Sequence, residues 1–149
     1  TNTMHKMAED VQASINIPLL HIVDVTAEKI TPFGFKKLGL LGSTFTMEED
    51  FYKGRLKEKY DLDVVIPNEA DCQVVDDIIF NELCLGEIKD SSREQIKTIM
   101  RKLIGNGAQG IILGCTELPL LIKQEDCSVP LFDTTAIHAK AAVEYAFGG

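Results

Sequence analysis

Five short, continuous apolar runs constrain this chain more than any other feature. They are "PLLHIV" (18–23), "KKLGLLG" (36–42), "DLDVVIP" (61–67), "GIILG" (110–114) and "VPLFD" (129–133). Strands buried on both faces read as unbroken apolar segments, whereas half-exposed strands alternate. Between the runs lie stretches with helical periodicity. Met4, Met7, Ala8 and Val11 share one face, with Thr3 as N-cap, and Asn16 and Pro18 close that helix. "TAEKI" reads as helical up to the break at Pro32 and Gly34. Thr46 with Glu49, and Ser91 with Glu94, have capping-box spacing. They predict helices from Met47 to about Lys59 and through Ile96, Ile99, Met100, Leu103 and Ile104. Val74, Val75, Ile78, Ile79 and Leu83 form a further helix face that Gly86 can end, "GNG" (105–107) is a stop, and the last helix is expected over 134–147. Strands alternating with helices in this way predict an α/β fold with a mostly parallel sheet.

Composition narrows the class of partner. With 149 residues, 45% hydrophobic and 26% charged, the chain can bury the core of one globular domain. A net charge of −8 disfavours nucleic acid and anionic membrane, which reward clustered lysine and arginine. It also means that an anionic substrate needs local donors. No apolar run approaches a membrane span and no leader opens the sequence, so the expected location is the cytoplasm. Four cysteines and three histidines lack the close spacings of a zinc site, so no metal is expected and the cysteines should be free thiols.

Within "GIILGCTELPLL" (110–121), Cys115 stands where a buried strand ends and the backbone turns. A free cysteine often merely fills space. In parallel α/β sheets, however, ligands bind at the carboxyl ends of strands, which makes Cys115 a site candidate.

"TNTMHK" (1–6) and "GCTE" (114–117) together resemble the paired motifs of the aspartate/glutamate racemase family, amino-acid racemases that use no pyridoxal phosphate. The intervening stretches "LGLLGSTFTMEEDFYKGRL" (38–56), "IIFNELCLG" (78–86) and "VPLFDTTAIHA" (129–139) are similar too. The resemblance implies two similar α/β domains related by a pseudo-twofold, each with a mostly parallel sheet and each lending one catalytic residue to a shared cleft. Residues 1–30 and 134–149 would then be a remnant of the first domain and 31–133 the complete second, the chain being a C-terminal portion. The implied activity is cofactor-independent racemisation of aspartate and glutamate by two-base α-proton transfer, with no cofactor and, as in family members that are commonly dimers, a homodimer.

On this resemblance Cys115 is one acid/base and the Thr1 position the other. Threonine stands where the family pattern has cysteine, and a hydroxyl is a far weaker acid than a thiol. Asn2, Thr3, Ser43, Thr46 and Thr116 would hold substrate carboxylates, with Glu117 orienting the site. A turn at a helix N-terminus should favour the Cys115 thiolate. Some aspartate racemases carry a lysine near the place of Cys84; Lys53 or Arg55 would have to replace it. Alternatives are a relative sharing the fold, such as a hydantoin racemase or maleate isomerase, and a non-catalytic remnant that binds a dicarboxylate or a partner.

Overall fold

A computed structural model describes residues 1–148. Its centre is a four-stranded, wholly parallel sheet in the order β2-β1-β3-β4, with β1 at Lys37–Gly42, β2 at Asp63–Val65, β3 at Ile111–Gly114 and β4 at Leu131–Asp133. β1 and β3 are the inner strands, in register from Gly39 opposite Ile111 to Gly42 opposite Gly114. These two are also the most thoroughly buried runs, as expected for strands covered on both faces.

Side-chain alternation along the strands builds two cores. On one face Leu41, Ile111 and Leu113 pack against α5 (Glu69–Asn81) and α6 (Asp90–Gly105), which contribute Val75, Ile78, Ile79, Ile96, Ile99, Met100 and Leu103. On the other, Leu38, Leu40, Ile112 and Phe132 meet α2 (Ile22–Ile30) and α4 (Asp50–Tyr60) through Ile22, Val23, Ala27, Ile30, Tyr52 and Leu56. Helices on both faces of a parallel sheet make the expected three-layer α/β arrangement. α8 (Thr134–Ala146) follows β4 directly and packs on α2. Among the described residues no helix is long and apolar enough to cross a membrane.

Several local expectations fail for identifiable reasons. "PLLHIV" forms no strand: residues 18–21 have no regular structure, and α2 begins at Ile22. A strand needs a neighbour, and here main-chain groups find side chains instead. Gln12 Oε1 accepts from Leu19 N–H at 2.7 Å, and Gln12 Nε2 donates to the Ile17 carbonyl at 3.1 Å. The first helical stretch is a 3-10 turn (Thr3–Met7) followed by α1 (Ala8–Ser14), and Asn2, not Thr3, stands at the cap position without a capping bond. The predicted Thr46–Glu49 box does not form. α3 (Thr44–Glu48) already contains Thr46, and Glu49 is extended between α3 and α4. Likewise α6 starts at Asp90, before Ser91, with no side-chain cap.

Candidate active site

The carboxyl ends of β1 and β3 gather most of the residues singled out in the sequence. β1 ends at Gly42 and β3 at Gly114, opposite one another in register. A Cβ at Gly42 would lie 3.0 Å from the Gly114 carbonyl oxygen and 3.1 Å from Thr46 Cγ2; one at Gly114 would lie 3.2 Å from the same methyl. The paired glycines thus let Thr46 close over both strand ends.

Three hydroxyls meet there. Thr3 Oγ1 lies 3.2 Å from Thr46 Oγ1 and 3.4 Å from Ser43 Oγ, and Ser43 Oγ lies 3.3 Å from Thr46 Oγ1. Thr46 is fully buried and Ser43 nearly so, while Thr3 is half-buried. Thr46 therefore supports the other two, and Thr3 and Ser43 are the members able to turn a proton toward a ligand. Beside them Asn2, only 3% exposed, donates from Nδ2 to Thr134 Oγ1 at 2.9 Å, and Thr134 donates to the Leu113 carbonyl at 2.8 Å. This relay ties the N-terminal arm to β3, two residues before Cys115.

On the turn after β3, Cys115 Sγ donates to Glu117 Oε2 at 3.0 Å, and Thr116 Oγ1 donates to the same oxygen at 2.5 Å. Two donors hold the Glu117 carboxyl below its usual range, the Cys115 thiol contributing most and the Thr116 hydroxyl next. The thiol responds in the opposite sense. Burial and then the Glu117 carboxylate push Cys115 up to about 12, outweighing the backbone N–H groups of Glu117 and Leu118 that favour the thiolate. The expected effect of the N–H groups opening α7 (Leu118–Leu121) is thus present but overridden by burial and by the Glu117 carboxylate. At neutral pH Cys115 is a thiol beside a carboxylate.

Thr1 is exposed. Its Oγ1 accepts from the Met4 N–H at 3.3 Å, and its carbonyl meets His5 Nδ1 at 2.9 Å. His5 packs edge-on against His21 and His138, with ring centroids 4.8 and 5.4 Å away. Lys53 and Arg55 are committed elsewhere: Lys53 Nζ to the Glu48 carbonyl, and Arg55 to both oxygens of Asp24 at 2.7 and 2.8 Å. Burial alone would raise the Asp24 carboxyl, but Arg55 and Lys59 hold it far below the carboxylate range.

A cavity of about 540 Å³ opens between the N-terminal arm and α4, lined in part by His5, Lys6, His21, Phe51, Arg55 and Lys59. It is not lined by Cys115, and its cations are spent: Lys6 on Glu49, Arg55 and Lys59 on Asp24, and Lys57 on Asp61 and Asp63. No cluster of metal-ligating side chains occurs among the described residues. Thr134 is the residue that sequence reasoning passed over, although it too follows a strand end.

The fold recurs in known proteins that are also similar in sequence. A crystal structure from Yersinia pestis assigned to the Asp/Glu racemases superposes with a TM-score of 0.94 at 52% identity, covering 99% of this chain and 64% of that one. An aspartate racemase homologue from Pyrococcus horikoshii gives 0.87 at 44% identity, covering 98% and 64%. The broad-specificity amino-acid racemase RacX of Bacillus subtilis is 29% identical over 145 residues, 95% of this chain and 60% of RacX. The chain therefore spans under two thirds of the length of these three proteins. The sequence model of the Asp/Glu/Hydantoin racemase family matches residues 1–142. By that match the chain belongs to the Asp/Glu/Hydantoin racemase family.

Proposed function

We propose that this chain carries the catalytic half-site of a cofactor-independent racemase for free acidic amino acids, aspartate and glutamate, with Cys115 as one acid/base. The observation that carries the reading is the Cys115–Glu117 pair at the end of β3, beside the Thr3, Ser43 and Thr46 hydroxyls. A thiol pushed up to about 12 is a poor base alone, but it has a carboxylate at hydrogen-bond distance. As Sγ takes the α-proton, its own proton passes to Glu117, so the thiol stays neutral and the carboxylate becomes an acid. The reverse transfer delivers a proton to the same face. The opposite face falls to the Thr1 position, whose hydroxyl is the weaker acid, so the two transfers are unequal. Substrate carboxylates would accept hydrogen bonds from Thr3 and Ser43 and from main-chain N–H groups, and from Thr116 once its hydroxyl turns away from Glu117.

In this reading residues 31–133 form one α/β unit, and 1–30 with 134–149 belong to its neighbour across the cleft. Three contacts join the two outer segments, Asn2 to Thr134, the Leu20 carbonyl to His138 Nε2 and α2 on α8, while α2 also fills the core on one face of the 31–133 sheet. A homodimer would cover part of the exposed apolar arm at Met4, Met7 and Val11.

Exchange of the α-proton tests the proposal directly. The chain is incubated in D₂O with each enantiomer of aspartate and glutamate, and loss of the α-proton signal is followed. Wild type should exchange, and Cys115→Ser should lose about a hundredfold or more. Equal exchange by the variant, or none by a folded wild type, overturns the reading.

A further inference from the structure

The cavity of about 540 Å³ between the N-terminal arm and α4 meets a second one of about 440 Å³ under the arm. The two share Ala8, Glu9, His21 and Arg55, and neither is lined by Cys115, Thr116 or Glu117. Each has the size of a pocket for a small molecule.

His21 sets the character of the junction. Its Nδ1 accepts from the Val23 N–H at 3.2 Å, so the neutral ring carries its proton on Nε2. Burial, followed by the Arg55 and His5 charges, lowers the ring to about 4 and keeps it neutral at neutral pH. The bond to Val23 is the only side-chain hydrogen bond of His21 among the described residues, which leaves the Nε2–H unpaired on a residue only 7% exposed. That donor is not sealed off either. The fully buried, unpartnered polar atoms are Asn2 Oδ1, Thr26 Oγ1 and Tyr52 Oη, and His21 Nε2 is not among them. A deep donor that is unpaired yet reachable opens into the cavity its ring lines.

Arg55 also keeps a donor in reserve. Its Nε and Nη2 bond the two Asp24 oxygens, and Nη1 is left over. Asp24 holds Lys59 as well, so one carboxylate answers two cations. Pairing neutralises these groups without using all their N–H donors. The inner end of the cavity thus offers donors in a positive field, whereas its rim is acidic. Glu9 and Glu58 are exposed there, and Glu9 acts on Arg55 through charge with no hydrogen bond between them. Asp50, also on the rim, already faces Lys53 at 3.8 Å. Donors within and carboxylates outside match a molecule that is anionic at one end and cationic at the other.

We propose that this cavity is a second ligand site, which takes a small zwitterion of the amino-acid type with its carboxylate on His21 Nε2–H and Arg55 Nη1 and its ammonium toward Glu9. The site does not depend on the racemase reading, and its test reads His21 rather than turnover.

Glycine, acetate and methylammonium separate the two ends of the ligand. Each is titrated into the full chain while the His21 ring nitrogens are followed by NMR, assigned by their loss in His21→Asn. Glycine should shift Nε2 saturably at millimolar concentration. Acetate should do so about three- to fivefold more weakly, the worth of one exposed ion pair, and methylammonium not at all. Glu9→Gln, a change on the exposed arm, should reduce glycine to the affinity of acetate. The proposal is overturned by the absence of a saturable glycine shift, by acetate binding as tightly as glycine in wild type, or by a glycine preference that survives Glu9→Gln. Shifts confined to residues 115–117 would overturn it as well, since they put the zwitterion at the strand ends alone.

Discussion

The two arms of the candidate site rest on very different supports. Cys115, Thr116 and Glu117 follow directly on β3, an inner strand with ladders on both sides and a core on each face. Thr1, Asn2 and Thr3 lead into a 3-10 turn and α1, in which only Ala8 is buried among the described residues. What holds that arm is a handful of polar contacts: Asn2 to Thr134, Thr3 to two hydroxyls, Lys6 to Glu49, and the edge-on histidines. One half of the site thus borrows its rigidity from the whole sheet, and the other from hydrogen bonds that individually contribute only about 1 kcal/mol.

Stability should expose the contrast most strongly. Leu40 is fully buried in the inner strand β1, so Leu40→Ala leaves a cavity and should cost about 2–5 kcal/mol. Met7, 44% exposed on the arm, should cost under about 0.5 kcal/mol as Met7→Ala. Urea midpoints of the two variants check this. Similar losses would mean that the arm is packed as tightly as the sheet.

The next effect lies in the chemistry of the rigid half. Glu117→Gln keeps the shape of the turn but removes the acceptor of the thiol proton. Exchange should fall by about a hundredfold, the range of one general base. Alkylation of Cys115 at mildly alkaline pH should become faster, because the Glu117 hydrogen bond and charge help to hold the thiol up. Peptide mapping separates Cys115 from the exposed Cys84. Slower alkylation, or undiminished exchange, would show that Glu117 does not govern the thiol.

The sheet was legible in the sequence because its strands are buried on both faces, and burial writes an unbroken apolar run. "KKLGLLG" and "GIILG" became β1 and β3, and the strand-end rule led to Cys115 before any contact was known. "PLLHIV" was misleading for a related reason: its apolar residues are consumed by α2, whose Ile22 and Val23 enter the core, while Leu19 and Ile17 are served by the Gln12 carboxamide. Capping signals fared worse. Thr46 and Glu49 have the spacing of a box, yet Thr46 is claimed by the hydroxyls of Thr3 and Ser43, a contact across 43 residues that no local pattern carries. The pairing of Asn2 with Thr134 spans 132 residues and was invisible for the same reason. Nor could the state of the Cys115 thiol be read from its place at a turn, because burial decided it.

A last effect sharpens the comparison through pH, since the N-terminal half of the site is anchored by histidines. His21 caps α2 by accepting from the Val23 N–H at 3.2 Å through Nδ1, and it is only 7% exposed. Burial, then the nearby Arg55 and His5 charges, lower it from 6.5 to about 4. Between those two values the unfolded chain binds the proton and the folded chain does not. The stabilisation is therefore complete above 6.5 and is lost as the pH falls toward 4, by up to about 3 kcal/mol. His5, also lowered by burial, acts in the same sense. In His21→Asn the cap can persist without a titrating ring, so the urea midpoint should change less on acidification than in wild type. Because His21 touches His5, which bonds the Thr1 carbonyl, protonation should loosen the arm first: amide exchange at residues 3–8 should rise before that of β1 and β3. Simultaneous loss of protection in arm and sheet would show that the two supports are one cooperative unit.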